Sequence, residues 1–236
     1  MHPVFRRSLR SRTLAAFPLT RALVRRLRGL ASKPRIEQYL RDSREPKLHV
    51  GCGRYYLEGW LNADIDLRCP VDIFLDAREP LPFEAQQFQF VFAEHLIEHL
   101  TFEEGRRFCR EVYRILRPGG VVRLSTPDLQ FLLRYYDEPS AEAHAYTEYH
   151  TEEFLRLDVR SRALVISNFF YDFGHRLIYD WDLLAGLLRE AAFERIERLP
   201  VGESPYPELR GIEQHGRDYP FNVQESMVVE AVKPEG

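Results

Sequence analysis

From about residue 34 onward, apolar positions fall into short runs of strand character separated by stretches of helical spacing. Residues 36–41 read as a short helix. Lys47-Leu48-His49-Val50 is the first strand and runs straight into Gly51-Cys52-Gly53. Residues 60–64 form the second, 71–75 the third, ending at Asp76, and 88–92 the fourth, dense in strand formers. Thr101-Phe102-Glu103-Glu104 then has the spacing of a capping box. Phe108, Cys109, Val112, Tyr113 and Leu116 repeat at helical intervals until Arg117-Pro118-Gly119-Gly120 stops the helix. Residues 121–125 are a fifth strand. Asp180 is placed to cap a helix whose Leu183, Leu184, Leu187, Leu188 and Ala191 share a face. Residues 193–199 and 226–232 form a closing pair of strands.

Strands alternating with helices predict an α/β fold around a parallel sheet with helices on its faces. Ligands in such sheets bind beyond the carboxyl ends of the strands. That rule directs attention to residues 51–55, 64–66, 76–77, 93–99 and 125–129.

Composition narrows the picture. Apolar residues make up 44% and charged residues 29% of the 236, the balance of a globular protein with its own core. Cys52, Cys69 and Cys109 are odd in number and widely spaced, which excludes a disulfide framework and points to a reducing, cytoplasmic compartment. The net charge of −3 hides an asymmetry: residues 1–36 carry ten Lys and Arg and no acid, leaving −13 on the other 200. So acidic a body repels phosphate and excludes nucleic acid as the main partner. The basic segment 1–34 is read as an extension before a domain at 35–236. It is either a helix or tail packing on that domain, or a peripheral membrane contact through arginines and interleaved Leu and Phe.

Gly51 and Gly53 let backbone approach a ligand closely, since no Cβ intervenes. A dinucleotide fingerprint would need glycine at 56, where Tyr56 stands, so NAD and FAD are disfavoured. Asp64, at the end of the second strand, can accept both hydroxyls of a ribose. Asp76, at the end of the third, can accept from an exocyclic amine. Two such carboxylates after a glycine turn point to a nucleoside.

The stretches 47–53 and 59–64, Asp76 to Phe83, Phe90 to Leu100, and Leu116 to Gly120 together resemble a class I S-adenosylmethionine-dependent methyltransferase, of the type 11 kind. The resemblance implies a Rossmann-like, mostly parallel seven-stranded sheet with an antiparallel C-terminal strand. It implies S-adenosyl-L-methionine as cofactor, with Gly51, Cys52 and Gly53 around its methionine part, Asp64 on the ribose, Asp76 and the backbone of Ala77 at the adenine, and Glu94 and His95 flanking the sulfonium. Only residues 54–60 separate the glycine turn from the second strand, so the first helix of that family must be cut down to a turn. Gly59-Trp60-Leu61-Asn62-Ala63-Asp64, Gly174-His175-Arg176, Gly202-Glu203-Ser204 and Glu213-Gln214-His215 resemble a subgroup linked to surface-glycan synthesis.

Residues 129–179 lie where an acceptor-side helical insertion would sit, and their rings, among them Tyr135, Tyr136, Tyr146, Tyr149 and those of Phe169 to Phe173, suit either an insertion core or an acceptor pocket. A hydroxyl acceptor benefits from a general base, for which His95, His99, Glu94 and His175 are candidates, with His99 read rather as a structural or cofactor contact. Positions 95 and 99 could share a helical face, but His95-Leu96-Ile97-Glu98-His99 is not the zinc-protease pattern, and no metal is assigned. The expected function is methyl transfer to a small molecule or glycan precursor. The alternative is a catalytically inactive cofactor-binding subunit.

Overall fold

The computed structural model describes residues 31–215 and 220–236. Most of the basic N-terminal segment therefore lies outside the described residues. Helix α1 is helical from residue 31 to 42. Ser32 and Ile36 are buried, and the Ser32 hydroxyl accepts a hydrogen bond from Phe74 N, so the folded body takes in residues before the boundary at 35.

Seven strands follow: β1 (Lys47–Val50), β2 (Leu61–Asp64), β3 (Ile73–Phe74), β4 (Phe88–Glu94), β5 (Leu116–Pro127), β6 (Glu194–Leu199) and β7 (Ser226–Val232). They form one sheet in the order β3-β2-β1-β4-β5-β7-β6. The pairs among β1 to β5 are parallel, and β7 runs antiparallel to both β5 and β6. Helix α2 (Phe102–Ile115) carries the predicted capping box: Glu104 N donates to the Thr101 hydroxyl while Thr101 N donates to the Glu104 carboxylate at 2.8 Å. The helix gives way to β5 at Leu116, five residues before the expected strand. Gly119 and Gly120 form its irregular start, where a Cβ on Gly120 would lie 2.8 Å from the Arg117 carbonyl.

Strand alternation gives the sheet two unlike faces. One, with Leu48, Val50, Val91, Val122 and Val229, packs under α1, α2 and α6 (Trp181–Glu190). The other is covered over β1 and β4 by loops: Trp60, Phe90 and Phe92 pack against Tyr206, Leu209 and Ile212. No helix joins β1 to β2. Instead Asn62 ties the short crossover together, accepting from Leu57 N and donating to the carbonyls of Leu57 and Trp60, each at 2.9 Å. Residues 129–171 supply α3 (Leu129–Asp137), α4 (Ala141–Tyr149), which continues as a π turn (His150–Leu155), and α5 (Arg162–Tyr171). Their rings mostly build a separate core around Tyr135, Tyr146, Val165 and Phe169, whereas Tyr136, Phe170 and Tyr171 are exposed.

On the loop-covered face a buried row crosses five strands in register, Asn62–His49–Phe92–Arg123–Glu230. His49 stacks on Phe92 at 5.0 Å and bonds Asn62 at 3.2 Å. Burial pushes its pKa down to about 4. The unfolded chain, with an ordinary value near 6.5, takes the proton first. Stability is therefore full above pH 6.5 and falls by about 3 kcal/mol as pH drops toward 4. Urea unfolding of the wild type and of His49→Gln at pH 7.5 and 4.5 isolates this contribution from that of the carboxylates. Parallel losses in the two proteins would refute it.

Candidate functional site

The carboxyl ends of β1, β2 and β3 meet at a cleft of about 230 Å³ whose walls include Gly51, Asp64, Asp76, Ala77, Leu96 and His99. Gly51 takes φ +71°, and a Cβ there would lie 2.9 Å from Leu96 Cδ1, so glycine is demanded both by its backbone and by the approach of the turn after β4. The N–H groups of the glycine turn are not free for a ligand. Gly51 N and Cys52 N donate to the Ala63 carbonyl, and Gly53 N donates to Asp64 Oδ2 at 2.9 Å. The turn thus offers close approach rather than donors, and it locks β1 to the end of β2.

Asp64 also accepts from Asp66 N at 2.7 Å, so backbone fixes each of its oxygens in the cleft wall. Asp76 is buried and gripped by Arg78, Nε and Nη2 donating at 2.7 and 2.8 Å. Each Asp64 oxygen keeps a second lone pair beyond these bonds, whereas Asp76 Oδ1 also accepts from Arg78 N at 3.2 Å. Cys52 lies beneath the turn, and burial pushes its thiol up to about 12.

Glu94 and His95 stand outside the cleft lining. Alternation along Phe90, Phe92 and Glu94 puts Glu94 on the loop-covered face, where its carboxylate accepts from Gln214 N at 2.9 Å and His215 N at 3.2 Å. His215 is held between Tyr55, 5.1 Å away, and His95, 4.4 Å away. Beneath this loop Arg123, fully buried, joins Glu213 and Glu230 at 2.6 Å each.

His95 takes a left-handed φ of +49°, and only residues 97–99 form a short 3-10 turn, so His95 and His99 do not share a helical face. His95 Nδ1 meets Glu98 Oε1 at 3.1 Å, and Nε2 lies 3.4 Å from the Ser226 hydroxyl. Burial opposes charge on both partners, but the hydrogen bond and attraction between them win, raising the His95 pKa and lowering that of Glu98. Thr126 donates to the other Glu98 oxygen. His175 comes from 80 residues beyond His95: burial lowers its pKa, and its Nδ1 meets the Phe169 carbonyl at 2.9 Å. The structure therefore gathers Gly51, Asp64, Asp76 and Ala77 at one cleft, and His95 and His175 around Glu98 beside it. Sequence reading missed Leu96 and Arg78 in the wall, although Arg78 lies only two residues from its partner Asp76. A larger depression, about 490 Å³, is lined by Glu104, Arg107, Arg110 and Glu111 of α2 together with Arg78. It adjoins the cleft at Arg78 and offers a charged, open groove along α2.

Residues 48–124 match the family model of a methyltransferase domain. Over that stretch the chain is similar to the donor-binding part of such a domain. The cofactor of such a domain is S-adenosylmethionine, and the residues present fit it: a glycine cradle that a Cβ would fill, and two carboxylates on successive strand ends in one cleft. The match covers about a third of the chain and ends before the helical segment, so it speaks for the donor half. Among solved structures, the chain is similar to a SAM-dependent methyltransferase from Thermotoga maritima, with 19% identity, 89% of this chain and 92% of that one covered, and a TM-score of 0.46. It is similar to an S-adenosylmethionine-dependent methyltransferase from Mesorhizobium loti, with 15% identity, coverage of 79% and 90%, and a TM-score of 0.45. It is also similar to phosphoethanolamine N-methyltransferase 2 of Haemonchus contortus in complex with S-adenosyl-L-methionine, with 16% identity, coverage of 80% and 49%, and a TM-score of 0.42. Likeness at this level is one of fold and brings no acceptor with it. Comparison with curated proteins yields no match. Among the described residues no helix is long and apolar enough to cross a membrane.

Proposed function

We propose that this protein methylates a hydroxyl of a small molecule or glycan precursor, with the donor held at Gly51, Gly53, Asp64, Asp76 and Ala77. The observation that carries this reading is the meeting of Gly51, Asp64, Asp76 and Ala77 around one cleft, with the His95–Glu98 pair beside it. When bound, S-adenosylmethionine supplies a methyl group on an electrophilic sulfonium. Asp64 accepts from the ribose hydroxyls, and Asp76, held in place by Arg78, accepts from the adenine amine. Cys52 supports the turn from below rather than touching the cofactor. Glu94 acts at one remove, holding the 212–215 loop beside the glycine turn.

Methyl transfer needs alignment and exclusion of water, and a hydroxyl acceptor also needs somewhere for its proton. We assign that proton to His95 rather than His175. Glu98 stands behind His95 and stabilises the imidazolium formed, whereas the Nδ1–H of His175 meets only a backbone carbonyl. The same contact keeps His95 protonated much of the time at neutral pH, so the transfer draws on a minor neutral form of a stronger base.

The test is a labelled-methyl transfer screen over sugars, glycolipids and small phenols, repeated with His95→Gln. Loss of the base is expected to lower turnover about 10²- to 10³-fold while leaving affinity for S-adenosylhomocysteine within a few fold. Unchanged turnover would remove His95 from the mechanism. Tight cofactor binding with no transfer to any acceptor would favour the inactive-subunit reading instead.

A further inference from the structure

We propose that Glu98, His99 and His175 form a binding site for a divalent transition-metal ion of the zinc class, beside the donor cleft. One ligand atom from each of the three residues lies within 4.8 Å of the others. The two rings stand edge to face at 5.0 Å. An ion that bonds nitrogen and carboxylate oxygen at about 2.0–2.1 Å needs its ligands closer together than this, a contraction that turning the exposed His99 and half-exposed His175 supplies.

The surroundings complete the case. His99 Nδ1 lies 3.3 Å from the Gly174 carbonyl, and His175 Nδ1 lies 2.9 Å from the Phe169 carbonyl. A carbonyl only accepts, so both protons sit on Nδ1, and each neutral ring keeps its lone pair on Nε2. Metal-binding histidines are prepared in this way, the outer N–H fixed by a backbone oxygen. The buried Glu98 carboxylate is likewise oriented by His95 on one oxygen and Thr126 on the other, with a lone pair left on each. The 174–177 loop is fastened to the turn that carries two of the ligands, because Arg176 N and Leu177 N both donate to the Glu98 carbonyl, at 2.7 and 3.2 Å. His99 also lines the cleft that contains Gly51 and Asp64, so a bound ion would keep an open position toward that space for water or an oxygen of the acceptor.

A second set, Glu94, His95 and His215, is as compact but chemically spent. Its His95 has both ring nitrogens engaged, Nδ1 by Glu98 and Nε2 by Ser226. Two imidazoles with one carboxylate suit Zn²⁺, Co²⁺ or Fe²⁺ rather than the oxygen-seeking Ca²⁺ and Mg²⁺. The sequence assigned no metal because it considered only Glu94, His95, Glu98 and His99. The fold adds His175.

The experiment titrates the full chain, stripped with chelator, with Zn²⁺ by calorimetry and with Co²⁺ by visible absorption. One equivalent of each ion is expected, with a Co²⁺ spectrum of nitrogen and oxygen ligation. His99→Gln and His175→Ala should each weaken binding at least thirtyfold, and His215→Ala should leave it within threefold. His99 is exposed, so His99→Gln keeps the test sound if His175→Ala folds poorly by circular dichroism. No binding, binding indifferent to His99 and His175, or a thiolate charge-transfer band would overturn the site. S-adenosylhomocysteine titrated into the same samples reads the donor cleft independently, so failure of one assignment is distinguishable from failure of the other.

Discussion

Asp64→Asn is expected to weaken S-adenosylhomocysteine binding by about two to three orders of magnitude. Two charge-assisted hydrogen bonds to the ribose, at about 1.5–3 kcal/mol each, give way to at most one neutral bond. The substitution also acts on the turn. The carboxylate now accepts from the N–H groups of both Gly53 and Asp66, whereas an amide must set its own NH₂ against one of those donors. Calorimetry with the product cofactor measures the affinity, and a urea melt confirms that the fold survives. A loss of less than tenfold would mean that Asp64 does not hold the ribose.

Arg123→Met is expected to cost about 3–5 kcal/mol of unfolding free energy, the usual result of leaving buried carboxylates without their cation. Arg123 has no solvent contact, and its Nη1 also donates to the Glu203 carbonyl at 2.8 Å. Glu213 in turn accepts from Gly202 N. Burial raises the pKa of Glu230 despite the neighbouring guanidinium. Replacing all three as Arg123→Met, Glu213→Gln and Glu230→Gln should recover most of the loss, since the cost comes from stranded charge rather than missing attraction. Urea unfolding of the single and triple variants checks both statements. A single-variant loss under about 1 kcal/mol would contradict the first.

Local features of this fold were legible in the sequence, and features that depend on partners distant along the chain were not. The capping box of α2, the glycine turn after β1, the carboxylates at strand ends and the missing first helix each follow from residues within a few positions of one another. β3 is shorter than its apolar pattern suggested, because the Asp72 carboxylate takes the Asn62 N–H. Arg123 sits in the middle of a run of strand formers with nothing nearby to explain it. Its partners lie 90 and 107 residues away. His175 and His215 are equally remote from the turn they approach. Glu94 was the avoidable miss, since strict alternation from Phe90 through Phe92 already turned it from the donor side.

The loop cover over β1 and β4 has a consequence for how the molecule is made. A helix between β1 and β2 would shield Trp60 and Phe92 as soon as the first half of the chain left the ribosome. Here the shield is Tyr206, Leu209 and Ile212, which are synthesised well over a hundred residues later. Until they arrive, a broad greasy surface beside the half-built cofactor pocket stays open to water and to other nascent chains, the kind of long-range dependence that slows folding and invites chaperone capture. A chain stopped short of residue 200 should therefore be sticky rather than merely inactive.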